Sequence, residues 1–217
     1  EIREHVAQVL LRERGARRTR RRAEHGTRLA RPRVGTPRAR APVQRILQHA
    51  RNRAVVLGRE EQQRVGGLDL VLVGANDPEA MTRHTDECRY RGIPFVADPS
   101  QQLAWLDGEG IRRLIDGAAY LFSNEYEAGL IEQKTGWSAS DVLARVGVRV
   151  TTLGKDGARI DVQGQPSVHV TCPPEELKAD PTGVGDAFRA GFLSGLAWGL
   201  SHERSAQVGS LLATYVI

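Results

Sequence analysis

The stretch LDLVLVGANDPEAMTRHTDECRYRGIPFVAD, residues 68–98, predicts a strand, a helix and a second strand in succession. Residues 68–74 form a short apolar run ending in Gly, as expected for a strand buried on both faces. Residues 78–92 begin with Pro and end with Gly, which is the usual asymmetry of a helix. Residues 93–98 are again mostly apolar and predict the second strand. A strand–helix–strand unit of this length predicts parallel strands joined by a crossover helix.

The same alternation continues to the end of the chain. The further predicted strands are residues 119–124 and 149–154 and a hairpin pair around Gly164, and the further predicted helices are residues 101–117, 125–136, 138–146, 183–200 and 203–217. We expect the first of these helices to break near Gly108 and Gly110, and Ser138 or Ser140 to cap the third. The predicted fold class is therefore α/β, with a parallel sheet and crossover helices on both faces. Ligands of such sheets bind beyond the carboxyl ends of the strands.

Residues 1–65 differ in composition from the rest of the chain. They contain 18 Arg and six Glu but no Lys, Asp or aromatic residue, which gives a formal net charge of +12. The other 152 residues have a formal net charge of −7. An arm of this composition buries too little apolar surface to offset the entropy that is lost on folding. We therefore predict an Arg-rich arm at 1–65, either disordered or the out-of-frame translation of a GC-rich gene, and a folded domain at 66–217.

The chain carries no sign of secretion or of a membrane span. Its two cysteines, Cys88 and Cys172, lack the spacing of a disulfide framework or a zinc site, so we expect a reducing, cytoplasmic location. No run approaches 18 apolar residues, and we expect no membrane partner. The charge of the arm raises one alternative, a nucleic-acid-binding protein on a catalytically dead α/β scaffold. The arm lacks aromatic side chains on which bases could stack, which disfavours nucleic acid as a partner.

The sequence DPTGVGDAFRAGFL, residues 180–193, joins a glycine turn to an amphipathic helix. Gly183 and Gly185 allow the backbone to approach a ligand, and the start of the helix offers N–H groups without helical acceptors. Gly183, Val184 and Gly185 therefore predict an anion hole for a phosphoryl group. Asp186, in the first turn, is the candidate general base for the proton of a substrate hydroxyl. The alternative is that Asp186 only interacts with the helix dipole.

Two shorter motifs follow predicted strands. The sequence SNEYE places Glu127 one helical turn after Asn124, where a carboxylate could help to hold Mg²⁺ near phosphate. The alternative is a capping box in which Asn124 is the N-cap and Glu127 its partner. The sequence TLGKDG contains Gly154 and Gly157, which would let the backbone pass beneath a nucleotide. Turns of this kind are also common in ordinary hairpins.

In this order, the three motifs resemble the ribokinase-like, PfkB-type family of carbohydrate and nucleoside kinases, and most of all its actinobacterial carbohydrate and adenosine kinases. The resemblance implies a three-layer ribokinase-like (Rossmann-like) fold and transfer of the ATP γ-phosphoryl group to an alcohol group of a sugar or nucleoside. It implies that Asp186 is the catalytic base, and that Glu127 holds Mg²⁺ through water. The residues implied for nucleotide binding are Asn124, Thr152, Leu153, Gly154, Gly157, Gly185 and Asp186.

Other positions extend the resemblance or depart from it. The further positions that match the family signature are Asp180, Pro181, Ala190 and Gly191. Val184 replaces a small residue, but its N–H group can still donate. The family pattern is also compatible with a monovalent cation near Asp180 and with a homodimer. The sequence DPSQQ departs from the Asp-Pro-Asn and Arg of many relatives, so we leave Asp98 out of the predicted site.

Residues 1–65 resemble none of the segments that hold the acceptor in this family, neither the glycine-rich segments nor the small β-sheet lid. The chain also ends at residue 217, before the segments that complete the adenine pocket in relatives. We therefore expect a fold that is incomplete at both ends, an inactive chain, and an unprotected sheet edge at 68–74. Ribose, a hexose phosphate and adenosine all remain open as acceptors.

Overall fold

The computed structural model describes the backbone of residues 8–10 together with residues 68–173 and 182–216. Its strands form one sheet in which the order along the chain is also the order in space. The strands are β1 (Gln8–Leu10), β2 (Leu70–Val73), β3 (Phe95–Ala97), β4 (Tyr120–Asn124), β5 (Val148–Thr152), β6 (Ala158–Val162) and β7 (Val168–Val170). Strands β2 to β5 are parallel to one another, whereas β1, β6 and β7 each pair antiparallel with their neighbours.

Six α-helices accompany the described part of the sheet. They are α1 (Pro78–Arg91), α2 (Gly108–Ile115), α3 (Glu125–Thr135), α4 (Ala139–Arg145), α5 (Val184–Ala197) and α6 (His202–Thr214). Two short 3₁₀-helices, Ser100–Ala104 and Gly154–Asp156, follow β3 and β5. The ends of the α-helices follow the sequence signals closely. Asp77 caps α1 through the N–H of Ala80, Gly92 ends α1 with a φ of 66°, and Ser138 rather than Ser140 caps α4.

The sheet lies between two helical layers, as expected for a three-layer α/β fold. Val71 and Val73 of β2 pack with Met81 and other apolar residues of α1 to α4 on one face. On the other face, Leu72 of β2 belongs to a second cluster with Phe192 of α5 and with residues of α6. Alternate residues of the buried strands thus serve two cores, which explains their continuous apolar runs.

The distribution of the helices differs from the prediction. All the crossover helices, α1 to α4, pack on the same face, and the opposite face is covered by the C-terminal pair α5 and α6. The physical reason is that β2 to β5 advance in one direction across the sheet. Right-handed crossovers that always advance in the same direction place their helices on the same side.

One further expectation, the unprotected sheet edge at 68–74, was wrong. The edge of β2 is covered, because β1 pairs with it in the register Gln8↔Leu72. The predicted break near Gly108 is confirmed, because the helical segment 101–117 is interrupted at 105–107 and α2 begins at Gly108 with Asp107 as its N-cap. A β carbon at Gly108 would overlap the carbonyl oxygen of Lys134, so this glycine permits close contact with the end of α3.

Of the predicted arm at 1–65, only residues 8–10 are among those that the structure describes. The arm and the domain boundary therefore stay predictions. In the described part of the chain, no helix combines the length and the apolar composition needed to cross a bilayer.

Candidate active site

The residues singled out from the sequence lie along one edge of the sheet. Asp98 follows the last residue of β3, Asn124 is the last residue of β4, and Thr152 is the last residue of β5. Asn124 and Thr152 are direct neighbours in the register of the two parallel strands. This is the carboxyl edge of the parallel strands, where α/β proteins bind their ligands.

The turn before α5 has the geometry of an anion-binding helix start. Gly183 occupies the N-cap position in the left-handed conformation, with a φ of 90°, and no side chain caps the turn. The first N–H groups of a helix have no acceptor within the helix, so those of Val184, Gly185 and Asp186 are suited to an anion. Asp186 lies in this first turn with a side chain that is 64% exposed. The predicted anion hole and the candidate base thus lie on one helical turn.

An arginine one turn further along α5 contacts the candidate base. Nη1 of Arg189 donates to Oδ1 of Asp186 at 3.2 Å. The same Nη1 would lie 2.8 Å from a β carbon at Gly185. The guanidinium group therefore packs directly against the glycine turn, and the missing side chain at Gly185 provides the room for it.

The same arginine also contacts a buried carboxylate, that of Asp98. Nη2 of Arg189 donates to Oδ1 of Asp98 at 2.8 Å, and Nε lies 2.6 Å from Oδ2 in an ion-pair contact. Burial raises the pKa of Asp98 from 3.8 to about 6; Arg189 lowers it, while the carboxylates of Glu127 and Asp186 raise it further. Burial also opposes the charge of Arg189, but its acidic neighbours Asp98, Asp186 and Glu127 raise the pKa of the guanidinium above its ordinary value. Arg189 is therefore a permanent cation between two acids.

Asn124 and Glu127 form the capping box that was the alternative interpretation of SNEYE. The side chain of Asn124 accepts the N–H of Glu127, and Oε2 of Glu127 accepts the N–H of Asn124, both at 2.8 Å. Glu127 nevertheless lies near enough to the site for its carboxylate to raise the pKa of both Asp98 and Arg189. The donor set suits Mg²⁺ held through water, because this hard ion retains several waters and needs only one or two carboxylates beside phosphate oxygens. Within the described ranges, no three acidic, His or Cys side chains gather into a metal-binding cluster.

The TLGKDG sequence forms a tight turn between β5 and β6. The N–H of Leu153 donates to the carbonyl of Gly157 at 2.8 Å, and both Gly154 and Gly157 have positive φ values, 59° and 93°. A β carbon at Gly157 would overlap the carbonyl oxygen of Val170, whereas one at Gly154 would meet nothing within 4 Å. Gly157 is therefore required by packing, and Gly154 leaves open space above the turn.

The structure thus brings most of the predicted site residues to one sheet edge and adds two that the sequence analysis omitted. Asp98 was left out because its neighbours depart from the family pattern, and Arg189 was not considered. The signal that could have found Asp98 is its position directly after a buried strand. Asp180 and Pro181 lie outside the described residues. Gly191 is explained by packing, because a β carbon there would lie 2.7 Å from Cα of Gly209 in α6.

The four parallel strands, the uncapped glycine turn and the acidic residue beside it are the arrangement that the resemblance to ribokinase-like proteins implies. Residues 45–217 match the pfkB family carbohydrate kinase, and the chain belongs to this family. The predicted fold and family are thereby confirmed. The match begins at residue 45, within the predicted arm.

Known relatives and structures agree with this assignment. The chain is 28% identical to a nucleoside kinase of Methanocaldococcus jannaschii, over 69% of this chain and 49% of that protein. It is 28% identical to an inositol 3-kinase of Zea mays, over 70% of this chain and 39% of that protein. The structure of a Burkholderia thailandensis nucleoside kinase in complex with inosine matches 68% of this chain and 49% of its own, with a TM-score of 0.65 and 37% identity. The chain spans about half the length, or less, of these relatives.

Proposed function

We propose that the chain takes part in ATP-dependent phosphoryl transfer to a hydroxyl group of a nucleoside or sugar. The observation that carries this proposal is the position of Asp186, beside the uncapped N–H groups of the α5 turn and at the carboxyl edge of the sheet. A terminal phosphoryl group that accepts those N–H bonds would lie next to the Asp186 carboxylate. Membership of the pfkB family supports the same reaction.

Each group at this edge has a separate part in the proposed reaction. The acceptor hydroxyl oxygen bonds to the γ-phosphorus, the bond from that phosphorus to the bridging oxygen of ADP breaks, and the hydroxyl proton passes to Asp186. The N–H groups from Gly183 to Asp186 stabilise the charge on the phosphoryl oxygens, because they point at it before it develops. Asp186 is well exposed, so a bound hydroxyl can reach it without a rearrangement of the helix.

The rest of the nucleotide lies, in this proposal, across the ends of β4 and β5. Asn124, Thr152 and Leu153 line the path from the anion hole, and the open space above Gly154 receives the ribose side of the nucleotide. Mg²⁺ bound to the phosphates would neutralise part of their charge and orient them for transfer. Glu127 would hold a water ligand of that ion with the carboxylate that caps α3.

Among possible acceptors, a nucleoside has the best support. The Burkholderia thailandensis enzyme, at 37% identity over the matched region, is a nucleoside kinase in complex with inosine, and two archaeal relatives are also nucleoside kinases. Relatives that act on other acceptors, such as the inositol 3-kinases and a 6-phosphofructokinase, are 28% and 30% identical. The acceptor panel for a test therefore includes inosine, adenosine, ribose, fructose 6-phosphate and inositol.

The test measures binding of ATP–Mg²⁺ by calorimetry and acceptor-dependent release of ADP, for the 217-residue chain and its Asp186→Asn variant. We expect both proteins to bind ATP–Mg²⁺; where the 217-residue chain turns over an acceptor, the variant should lose about two to four orders of magnitude in turnover, as for loss of a general base. Equal turnover in the two proteins would refute the role of Asp186. ATP binding without turnover on any acceptor would instead confirm the inactivity expected from the sequence and limit the chain to nucleotide binding.

A further inference from the structure

Arg189 contacts two carboxylates that differ sharply in their surroundings. One partner, Asp98, has a side chain that is only 7% exposed, and the other, Asp186, is 64% exposed. The Arg189 side chain between them is 15% exposed. The planar guanidinium group therefore connects the buried Asp98 to the exposed Asp186 beside the predicted anion hole.

We propose that Arg189 is a positioning residue that holds the carboxylate of Asp186 in place for proton transfer, and that the buried Asp98 acts on the reaction by fixing Arg189. This inference rests on the proposed function, since it assumes that Asp186 is the base. It extends that function to two residues on different elements, 91 positions apart in the chain.

A role in stability alone does not account for this arrangement. Burying an Arg–Asp pair costs solvation free energy that the ion pair often only just recovers, so such pairs are poor sources of stability. A pair retained for packing alone would also have no need of a third contact, to an exposed carboxylate on the functional turn. In Arg189, Nη1 is the nitrogen that makes this contact, and the room for it exists because residue 185 is a glycine.

The contact has two physical effects on Asp186. A guanidinium group has a fixed planar geometry, so an arginine held at two nitrogens by Asp98 directs its third nitrogen to one place. The Asp186 side chain, which is otherwise exposed and free to rotate, is thereby restricted to the rotamer that meets Nη1. The positive charge also offsets the repulsion between Asp186 and the phosphates of a bound nucleotide.

The anchor of this arrangement depends on the charge of Asp98. Asp98 is faced by Arg189 and Asp186 from α5 and by Glu127 from α3, and burial is the main cause that raises its pKa to about 6. When Asp98 is protonated, Arg189 loses its ion pair with Asp98 and keeps only the ion pair with Asp186. The position of Asp186 should therefore respond when Asp98 titrates.

The decisive experiment follows the ¹³C carboxyl signal of Asp186 by NMR between pH 4.5 and 8, in the full chain labelled at its aspartates. The Asp186→Asn variant identifies the signal by its disappearance. In the wild-type protein we expect an inflection of this signal near pH 6, at the titration of Asp98. The inflection should vanish in Asp98→Asn and in Arg189→Met, and be smaller in Arg189→Lys, which keeps the charge but not the planar fork.

A matched control removes an arginine that is buried to a similar or greater degree elsewhere. Arg149 of β5 is 2% exposed and pairs with Glu132 of α3 at 2.7 Å. Arg149→Met should lower stability but keep the inflection of the Asp186 signal. The proposal would be overturned if the Asp186 signal showed no inflection at the pH where the Asp98 signal itself titrates, or if the inflection persisted in Arg189→Met. Persistence would mean that Asp98 acts on Asp186 directly through space.

Turnover provides the second measurement and separates the two proposals. Arg189→Met should lower kcat about 10- to 100-fold, as expected for misplacement of a reacting group, and leave the KM for ATP within about twofold of the wild-type value. Arg189→Lys should recover part of the loss, and an unchanged kcat in Arg189→Met would refute the positioning role. If the wild-type chain showed no turnover, the proposed function would fail for this chain, while the NMR titration would still decide whether Arg189 positions Asp186.

Discussion

Asn124 and Glu127 exchange two hydrogen bonds of 2.8 Å at the start of α3, each side chain accepting the backbone N–H of the other residue. Glu127 is also the candidate for holding a water ligand of Mg²⁺. Capping and metal binding make different demands on Glu127, because the first needs one acceptor oxygen and the second needs a negative charge. The two roles can therefore be separated by a substitution that removes only the charge.

The first prediction is that Glu127→Gln weakens the binding of Mg²⁺, so that ATP binding needs more of it, without destabilising α3. Glutamine is a normal partner in a capping box, so the free energy of unfolding should change by less than about 0.5 kcal/mol. The Mg²⁺ concentration needed for half-maximal ATP binding should rise about tenfold, as for loss of a group that orients a metal ligand. Calorimetric ATP titrations at several Mg²⁺ concentrations measure this shift.

The capping box of α4 supplies the control for this substitution. Asp141 accepts the N–H of Ser138 at 2.9 Å, in the same arrangement but in a different helix. Asp141→Asn should leave the Mg²⁺ dependence of ATP binding unchanged. If Glu127→Gln behaves in the same way, Glu127 is only a capping residue.

The second prediction concerns stability and pH, and it follows from the raised pKa of Asp98. Below pH 3.8 this carboxyl is protonated in both the folded and the unfolded chain, and above about pH 6 it is ionised in both. Between these values only the folded chain keeps the proton, so the free energy of unfolding falls as the pH rises. A shift of about two pKa units corresponds to about 3 kcal/mol.

Denaturant unfolding of the wild-type protein and Asp98→Asn between pH 4 and 7.5 measures this effect. The variant lacks the titrating group, so the difference between the two free energies of unfolding isolates Asp98 from the other acids. We expect the stability of the wild-type protein relative to the variant to decrease by about 3 kcal/mol from pH 4 to pH 7. Two parallel curves would show that the pKa of Asp98 is not raised in the folded protein.

The third prediction separates the two glycines of the turn between β5 and β6. Gly157→Ala forces a β carbon into the backbone of β7 at a φ of 93°, so it should cost more than about 2 kcal/mol of stability. Gly154→Ala places the β carbon in open space and should cost only about 1 kcal/mol, for the positive φ alone. Thermal and denaturant unfolding compare the two variants.

Gly154→Ala, the less destabilised of the two variants, should nevertheless bind ATP more weakly than the wild-type protein. If the ribose side of ATP passes over Gly154, the methyl group of Gly154→Ala occupies that space and weakens ATP binding in a protein that remains folded. Unchanged ATP affinity in Gly154→Ala would place the nucleotide elsewhere. The comparison is made by calorimetry at a temperature where both variants are fully folded.

Much of this fold could be predicted from the sequence because its signals are local. Apolar runs of β2 and β4, the Pro and Gly at the ends of α1, and the glycine turn before α5 each depend on neighbouring residues only. The face on which a helix packs depends instead on the order of strands in space, and this order is not a local property. The prediction of crossover helices on both faces was wrong for that reason.

The candidate site shows the same limit. Asp186 and Glu127 belong to motifs and could be recognised one at a time. The pairing of Asp98 with Arg189 joins residues 91 positions apart, and the contact of Arg189 with Asp186 inside its own motif gives no sign of this distant partner. Gly108 and Gly191 were recognised from local signals, Gly108 from a helix break and Gly191 from the family signature. The structure adds a reason that the sequence does not show, because each glycine lies in close contact with the backbone of another helix.

The last prediction concerns the contact between α5, which begins with the anion-hole turn, and α6. A β carbon at Gly191 would lie 2.7 Å from Cα of Gly209 and 2.9 Å from the carbonyl oxygen of Val208, both of them backbone atoms that cannot turn away. Gly191→Ala must therefore separate the two helices. We expect it to lower the free energy of unfolding by about 1–3 kcal/mol, as for overpacking of a core, although alanine favours helix over glycine.

Gly129 of α3 is the matched control, because it is also a helical glycine but a β carbon there would meet nothing within 4 Å. Gly129→Ala should raise the free energy of unfolding by about 0.5–1 kcal/mol, which is the helix propensity gained without a clash. Denaturant unfolding of both variants gives the two changes directly, and opposite signs are expected. Because α5 begins with the anion-hole turn, a shift of its axis should also weaken ATP binding in Gly191→Ala and not in Gly129→Ala. Stabilisation of both variants would show that α5 and α6 are not in close backbone contact at Gly191.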